Sequence, residues 1–599
     1  MTQESEVLAA MNAHVAARLD GDVDAVLDSL SDKWEDSKGT KKISLQEGHV
    51  AFSASVGANV QFDLGNAKIS IEEEFATCGP VVIDTEKGRI TYNYKLKKEA
   101  DAVWRLIYTQ TIDWEPFPMD EATQAMKDEI DSTAMIVRAH RERLLKDPFR
   151  PGYHFTVPEG VAVPFDPNGA IFWQGRYHLF YIFQDKRLGR KSDHWGHVSS
   201  TDLFHWRHHP TGLLEGMYSG NCFLNEDGVP TMCYHQVDQG NAMAVALDND
   251  LNDWRKLDSN PITPETKEGD EHHGKYRSWD PFGWYDGKSY YAIFGGEHPA
   301  IAKTTSLSKP WSYVGDLFAH GLDGVSLEED VSCADLFKLG DKDVLLCISH
   351  RMGCRYYIGE WKNEQFYPET HGQMSWVDNT FFAPESIMDE KGRRIMWSWL
   401  LDFREFGVRL EQGWSGTMSL PRVLWLNENN EMRMDVPKEI ESLRYKPNQL
   451  QDIEVQPNTE ANLKTIKGNS IEISLKFEQS TAEEYGIKVC CSPDGEEQTV
   501  ISYCPTEAAL KVDTCSSGPN ESPKHIESAP LELPEGEQLR LRVFVDKSVV
   551  EVFANNQQAI MRRIYPARTD SVGVKLFAKG GSIKVNQLDC WQISPSNPY

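Results

Sequence analysis

Between residues 160 and 435 one pattern recurs that few folds accommodate: two short β-forming runs joined by a tight turn of glycine or charged residues. It is read in AIFWQGRYHLFYIF (170–183), GWYDGKSYYAIFGG (283–296), DLFKLGDKDVLLCIS (335–349) and SIMDEKGRRIMWSWLLD (386–402). The runs are rich in β-branched and aromatic residues and too short for helices, so each reads as a hairpin. An isolated hairpin is barely stable in water, and hairpins repeated along a chain predict sheets set radially about an axis.

The flanking regions differ in texture. Residues 4–31 carry apolar positions at helical spacing (Val7, Leu8, Met11, Val15, Leu19, then Val23, Val26, Leu27, Leu30), broken at Asp20-Gly21-Asp22, which predicts two short helices. Strand-like runs follow at 68–74, 88–97 and 102–113. From Met119 to Lys146 a charged segment bears an apolar stripe (Met126, Ile130, Met135, Ile136, Leu144), expected to be a helix packed on one side, and Asp147-Pro148 ends it. After about 445 the chain is strand-rich again, as in SIEISLKF and LRLRVFVDKSVVEVFA, and predicts a β-sandwich. The expected units are 1–117, a connecting segment 118–150, a sheet-repeat domain 151–437 and a sandwich 438–599.

At 599 residues the chain is too long for one core. Its 62 Lys+Arg against 91 Asp+Glu give a formal charge of −29, which repels phosphate backbones and anionic lipid surfaces alike. Neither nucleic acid nor membrane is an expected partner. The eleven cysteines are scattered and form no CxxC pair, so neither a disulfide framework nor a zinc knuckle is signalled. The first residues do not read as a secretory signal. A cytoplasmic location is expected, or a secreted or periplasmic one if a leader precedes this sequence. The adjacent His272-His273 pair reads as a loop, because neighbours on an extended chain point apart. No metal and no organic cofactor is expected.

The chemistry-bearing motifs come in a fixed order: Tyr153-His154-Phe155, Phe165-Asp166-Pro167-Asn168-Gly169, His194-Trp195-Gly196-His197, Tyr218-Ser219-Gly220, Trp279-Asp280-Pro281, Cys333-Ala334-Asp335, Phe382-Ala383-Pro384 and Gly413-Trp414-Ser415-Gly416. With RVFVDKSVVEVFANN and RRIYP near the end, this order resembles glycoside hydrolase family 32, the β-fructofuranosidase and invertase family. Residues 1–115 resemble the SnoaL-like, or nuclear transport factor 2-like, fold. The resemblances imply a mainly β protein: a small α+β SnoaL-like domain, a five-bladed β-propeller and a β-sandwich. They further imply a glycosidase acting on an oligosaccharide or small glycoside, and a homodimer formed through the N-terminal domain.

Cleaving a glycoside needs a nucleophilic or water-activating carboxylate, an acid for the leaving oxygen and groups that steady an oxocarbenium-like state. The resemblance implies Asp166 as nucleophile and Asp280 as transition-state stabiliser, although an Asp-Pro-Asn-Gly turn by itself needs no function. It implies sugar-contacting roles for Asn168, Gln184, Trp195, Ser219, Arg277, Trp399 and Trp414; for the three tryptophans, packing in the sheets is the plainer alternative. The departures carry information too. Where the family has its acid/base glutamate, directly before the cysteine, this chain has Ser332. Asp330 and Glu385 are the two candidate replacements. Phe165, Ile182 and Trp279 stand where the family has Asn, Gln and Arg, so the usual fructosyl pocket is altered and a related non-standard sugar is possible. An inverting arabinosidase-like hydrolase and a carbohydrate-binding protein that has lost its acid/base stay open as alternatives.

Overall fold

The computed structural model describes residues 2–20, 22–46, 61–85, 88–116, 121–157, 164–185, 192–519 and 522–597. They divide into two compact units, Met1–Val137 and Arg138–Tyr599, so the border falls within the expected connecting segment. Among the described residues no helix is long and apolar enough to cross a membrane.

In the first unit the helices are Gln3–Asp20 and Val23–Asp28, the second capped by Asp22, whose side chain accepts the Ala25 N–H at 3.0 Å. Leu30 opens a strand rather than ending a helix. The sheet has six strands, ordered Leu30–Asp36, Trp104–Pro116, Gly88–Lys98, Phe75–Thr85 and Gln61–Asp63, with Lys68–Glu72 also paired to Phe75–Thr85. Val7 and Met11 of the first helix pack with Trp34, Tyr94, Leu96 and Trp104 of the sheet. The apolar stripe of the helix Glu121–Lys146 does not pack as expected. Met126, Ile130, Met135 and Ile136 are exposed and only Leu144 is buried. Amphipathic spacing marks the face a helix can bury; it does not supply a partner for it.

The second unit opens with five antiparallel sheets, each of four main strands. Their first strands are Phe165–Trp173, Met217–Leu224, Phe282–Tyr285, Ser332–Leu339 and Phe381–Met388, and within each sheet the chain moves outward strand by strand in sequence order. Each first strand lies beside that of the next sheet, and the fifth lies beside the first, so the five adjoin in a ring. The hairpins read from sequence are the first two strands of the first, third, fourth and fifth sheets.

Two six-stranded antiparallel sheets follow, spanning Arg444–Ile593, with Ile473, Val543, Ile487 and Leu576 among the residues of their common core. This sandwich grips both ends of the sheet repeat. The buried carboxylate of Asp546 accepts the backbone N–H groups of Gly152, Tyr153 and His154 at 2.7, 2.8 and 2.8 Å and the His154 ring Nδ1 at 2.9 Å. Glu551 accepts Arg422 and the Leu420 N–H of the fifth-sheet region at 2.9 and 2.8 Å. Burial alone would lower the His154 pKa, but the bond to Asp546 and the nearby Glu551 carboxylate raise it, which favours a protonated ring between the two carboxylates.

Candidate active site

The same local irregularity recurs where the first strands begin. Pairing registers shift between Phe165 and Pro167, Met217 and Gly220, Ser332 and Asp335, and Phe382 and Glu385. Asp166, Asp280, Cys333 and Ala383 have φ of 27°, 32°, 47° and 49°, in the left-handed region that side chains other than glycine rarely enter. Bulges re-aim side chains, and strain of this kind persists where the surroundings enforce it. Here the irregular positions bring Asp166, Ser219, Asp280 and Cys333 together.

Ser219 Oγ donates to Asp166 Oδ2 at 3.0 Å, and Cys333 Sγ lies 3.5 Å from Ser219 Oγ, 3.7 Å from Asp280 Oδ2 and 4.0 Å from Asp166 Oδ2. The Cys333 N–H donates to Asp280 Oδ2 at 3.3 Å. Both carboxylates are buried, and among the described residues Asp166 Oδ1 has no hydrogen-bond partner. Burial, then the charge of Asp280, pushes the Asp166 pKa up to about 7, against the pull of Ser219. Burial likewise raises Asp280 to about 6, against the Cys333 N–H, His350 and Arg277. Asn168 ties the first two sheets together, donating to the Asp166 carbonyl at 2.7 Å and accepting the Gly220 N–H at 3.1 Å.

The two candidates for the acid are not equivalent. Asp330 accepts Ser332 Oγ at 2.8 Å, the His350 N–H at 2.9 Å and the His350 ring Nδ1 at 2.6 Å. Burial pushes its carboxyl up, but these bonds hold it below the usual range. These bonds favour its carboxylate form, which weighs against Asp330 as the proton donor. Burial, then the charge of Asp335, drives the Glu385 carboxyl well above the usual range. It sits deeper along its strand, accepting the Ala170 N–H at 2.9 Å, and faces a hollow of about 290 Å³ with Asp335, Arg394, Asn221 and Trp284.

The expected sugar contacts divide as well. Trp195 is fully buried between Phe180 and Tyr234, its Nε1 donating to the Tyr218 carbonyl at 3.0 Å. Trp414 is also fully buried, bonded to Asp147 and covered by the Arg404 guanidinium at 4.2 Å. Neither has a free face for a sugar ring, so both expectations are corrected: these indoles pack the sheets. Trp399 is partly open and adjoins Phe165 and Phe382, with ring centres 5.7 and 6.0 Å away. Arg277 stacks on Trp279 at 4.1 Å, close enough for its charge to reach Asp280. Gln184 is engaged by Asp193 at 3.0 Å.

Among the described residues, one group has metal-ligand composition: His178, His197 and His209 bring ring nitrogens within 4.8 Å of one another. His178 Nδ1 is hydrogen-bonded to His197 Nε2 at 2.9 Å, and both nitrogens of His209 are engaged, by Ser199 at 2.7 Å and Asn252 at 3.0 Å. The rings of His197 and His209 stack at 4.1 Å, and burial lowers all three pKa values. The trio is a neutral imidazole stack rather than a converging ligand set.

Sequence reasoning missed His350. The bulge hid it: Ser332 pairs with Ile348, and that register continued outward sets Asp330 opposite His350, whereas the register nearer the turn, Asp335 with Leu346, would have set Asp330 opposite Arg351.

Residues 154–436 match the glycosyl hydrolases family 32 N-terminal domain, and residues 439–592 match the family 32 C-terminal domain. The chain belongs to glycoside hydrolase family 32. Like that family, it is a glycosidase, acting on O-glycosyl bonds. Among its relatives is a levanase of Bacillus subtilis, 29% identical over 74% of this chain and 70% of the levanase. A sucrose-6-phosphate hydrolase of Zymomonas mobilis is 27% identical over 76% of this chain and 94% of its own length. In structure, this family 32 chain is similar to fructan 1-exohydrolase IIa from Cichorium intybus, with a TM-score of 0.66 at 21% identity, over 75% of this chain and 98% of that one.

Proposed function

We propose that this glycosidase cleaves a β-fructofuranoside or a closely related sugar by a retaining mechanism. Asp166 attacks the anomeric carbon and Asp280 steadies the oxocarbenium-like charge. The supporting observation is the cluster in which Ser219 and Cys333 hold the two buried carboxylates side by side. Its parts suit the division of labour. The Ser219 bond fixes one Asp166 oxygen, and burial keeps the other from being solvated, so little reorganisation precedes attack. The substrate class rests on the levanase and sucrose-6-phosphate hydrolase relatives. Phe165 in place of a polar contact, packed against Trp399, favours a substrate less hydroxylated at that edge than unmodified fructose.

In the same reading the five sheets are the blades of a five-bladed propeller over 151–437, followed by the sandwich at 438–599. Residues 1–117 are a SnoaL-like module that pairs two copies of the chain.

Asp166→Asn tests the nucleophile, since it keeps the shape and removes the charge. Turnover of 4-nitrophenyl β-D-fructofuranoside should fall by about 10⁴-fold or more while the circular dichroism spectrum is unchanged. A variant that keeps most of its kcat removes Asp166 from the role.

A further inference from the structure

Glycosylation by Asp166 leaves the proton unassigned, and four nearby groups cannot supply it. Asp166 must attack as an anion and Asp280 must stabilise as one, the bonds to Asp330 favour its carboxylate form, and Arg277 is turned onto Trp279. Glu385 is bonded to the first strand beyond Asp166 and faces the deeper hollow. Ser332 occupies the position from which a carboxylic acid would reach, and its hydroxyl is spent on Asp330.

His350 stands in that gap. It follows the second strand of the fourth sheet, Lys342–Ser349, so it emerges at the end of the sheet where Cys333 meets Asp280. Its Nδ1 is bonded to Asp330 at 2.6 Å, its backbone N–H to the same carboxylate at 2.9 Å, and its ring stands edge-on to Phe382 at 5.5 Å. That bond uses Nδ1 and leaves Nε2–H as the outward donor. The side chain is 59% exposed and reachable by a ligand. It also borders a polar hollow of about 210 Å³ with Gln373, Trp376, Asp378 and Asn379, space in which a departing group could sit.

We propose that His350 is the proton donor of this site, with Asp330 as its positioning residue; this rests on the glycosidase reading above. As a carboxylate oxygen of Asp166 bonds to the anomeric carbon, the glycosidic C–O bond breaks and its electron pair stays on the leaving oxygen. That oxygen takes the Nε2 proton. In the second half the neutral imidazole accepts a proton from water, whose oxygen bonds to the anomeric carbon as the bond to Asp166 breaks. Each cycle returns both groups to their starting state.

The surrounding charges favour the cationic form. The Asp330 bond is the largest influence raising the His350 pKa, opposed by burial and aided by the charges of Asp280 and Asp166. The other charged neighbours are paired elsewhere: Arg351 with Glu297 at 3.0 Å, Asp378 with Arg562 at 2.9 Å, and Glu329 with Ser349 at 2.6 Å.

The test compares 4-nitrophenyl and methyl β-D-fructofuranosides, because nitrophenolate departs without protonation and methoxide does not. His350→Ala, and His350→Gln as a second variant, should lower kcat/KM for the methyl glycoside by about 10²–10⁴-fold and leave glycosylation by the nitrophenyl one within about tenfold. Both variants should also lose the alkaline limb of the pH profile, whereas Asp330→Asn should keep that limb and move it to lower pH. Equal losses on the two substrates, or no loss on either, overturns the proposal while leaving Asp166 in place. If wild type turns over neither substrate, the fructofuranosidase reading itself falls, and the role of His350 falls with it.

Discussion

At the scale of single residues, the site runs on shifted acidities. As the proposed nucleophile Asp166 must be a carboxylate to attack, yet burial and Asp280 raise its pKa to about 7. kcat/KM should therefore climb with pH through a group near 7. Asp280→Asn, measured on whatever activity survives, should move that limb to lower pH, because a repelling charge is gone. A limb unmoved in Asp280→Asn would show that the two carboxylates do not interact. The same shift has a cost in stability. A carboxyl whose folded pKa lies above its unfolded value of about 3.9 favours the fold when protonated, and that stabilisation is lost as pH rises through 7. Asp166→Asn should thus melt at a higher temperature than wild type at pH 8, with the gap closing towards pH 4. The exchange of activity for stability is expected where charges are buried for chemistry.

At the scale of strands and hairpins, much was legible. Four hairpins could be read because their turns and β-forming runs are local signals, and the structure sets them at the inner edges of sheets. The bulges at the strand starts were not legible, since a register shift depends on the partner strand and not on the bulged sequence alone. Trp195 and Trp414 were misplaced for a related reason. An indole suits a sugar face and a sheet interior equally well, and only the neighbours decide; here they are Phe180, Tyr234, Arg404 and Asp147. The stripe on Glu121–Lys146 failed in the opposite direction, an apolar face without a buried setting. Asp330 and His350 show the same limit. Counting the fourth hairpin outward from its Gly340 turn would set Asp330 opposite Arg351, and only the bulge between Ser332 and Asp335 brings His350 to it.

At the scale of the whole chain, two features stand out. One is the sandwich, whose Asp546 and Glu551 hold His154 before the first sheet and Arg422 in the fifth, so the ends of the sheet repeat are fastened to one rigid body. That fastening lets side chains from five separate strands meet with fixed geometry. The other is the first unit, where Phe75, Ile112 and Trp114 are exposed on the sheet strands. Apolar residues left open on a sheet suit pairing between copies. Light scattering of the full chain should give a dimer mass, and a chain lacking residues 1–117 a monomer mass. An unchanged mass assigns the unit another task. In the proposed mechanism Asp166 carries the sugar covalently between the two half-reactions. The most direct measurement is peptide mass mapping of wild-type protein acid-quenched during turnover of 4-nitrophenyl β-D-fructofuranoside. A hexosyl adduct on the peptide containing Asp166, absent from Asp166→Asn, is the predicted result. An adduct on another carboxylate, or turnover with no adduct and an inverted product anomer, would contradict it.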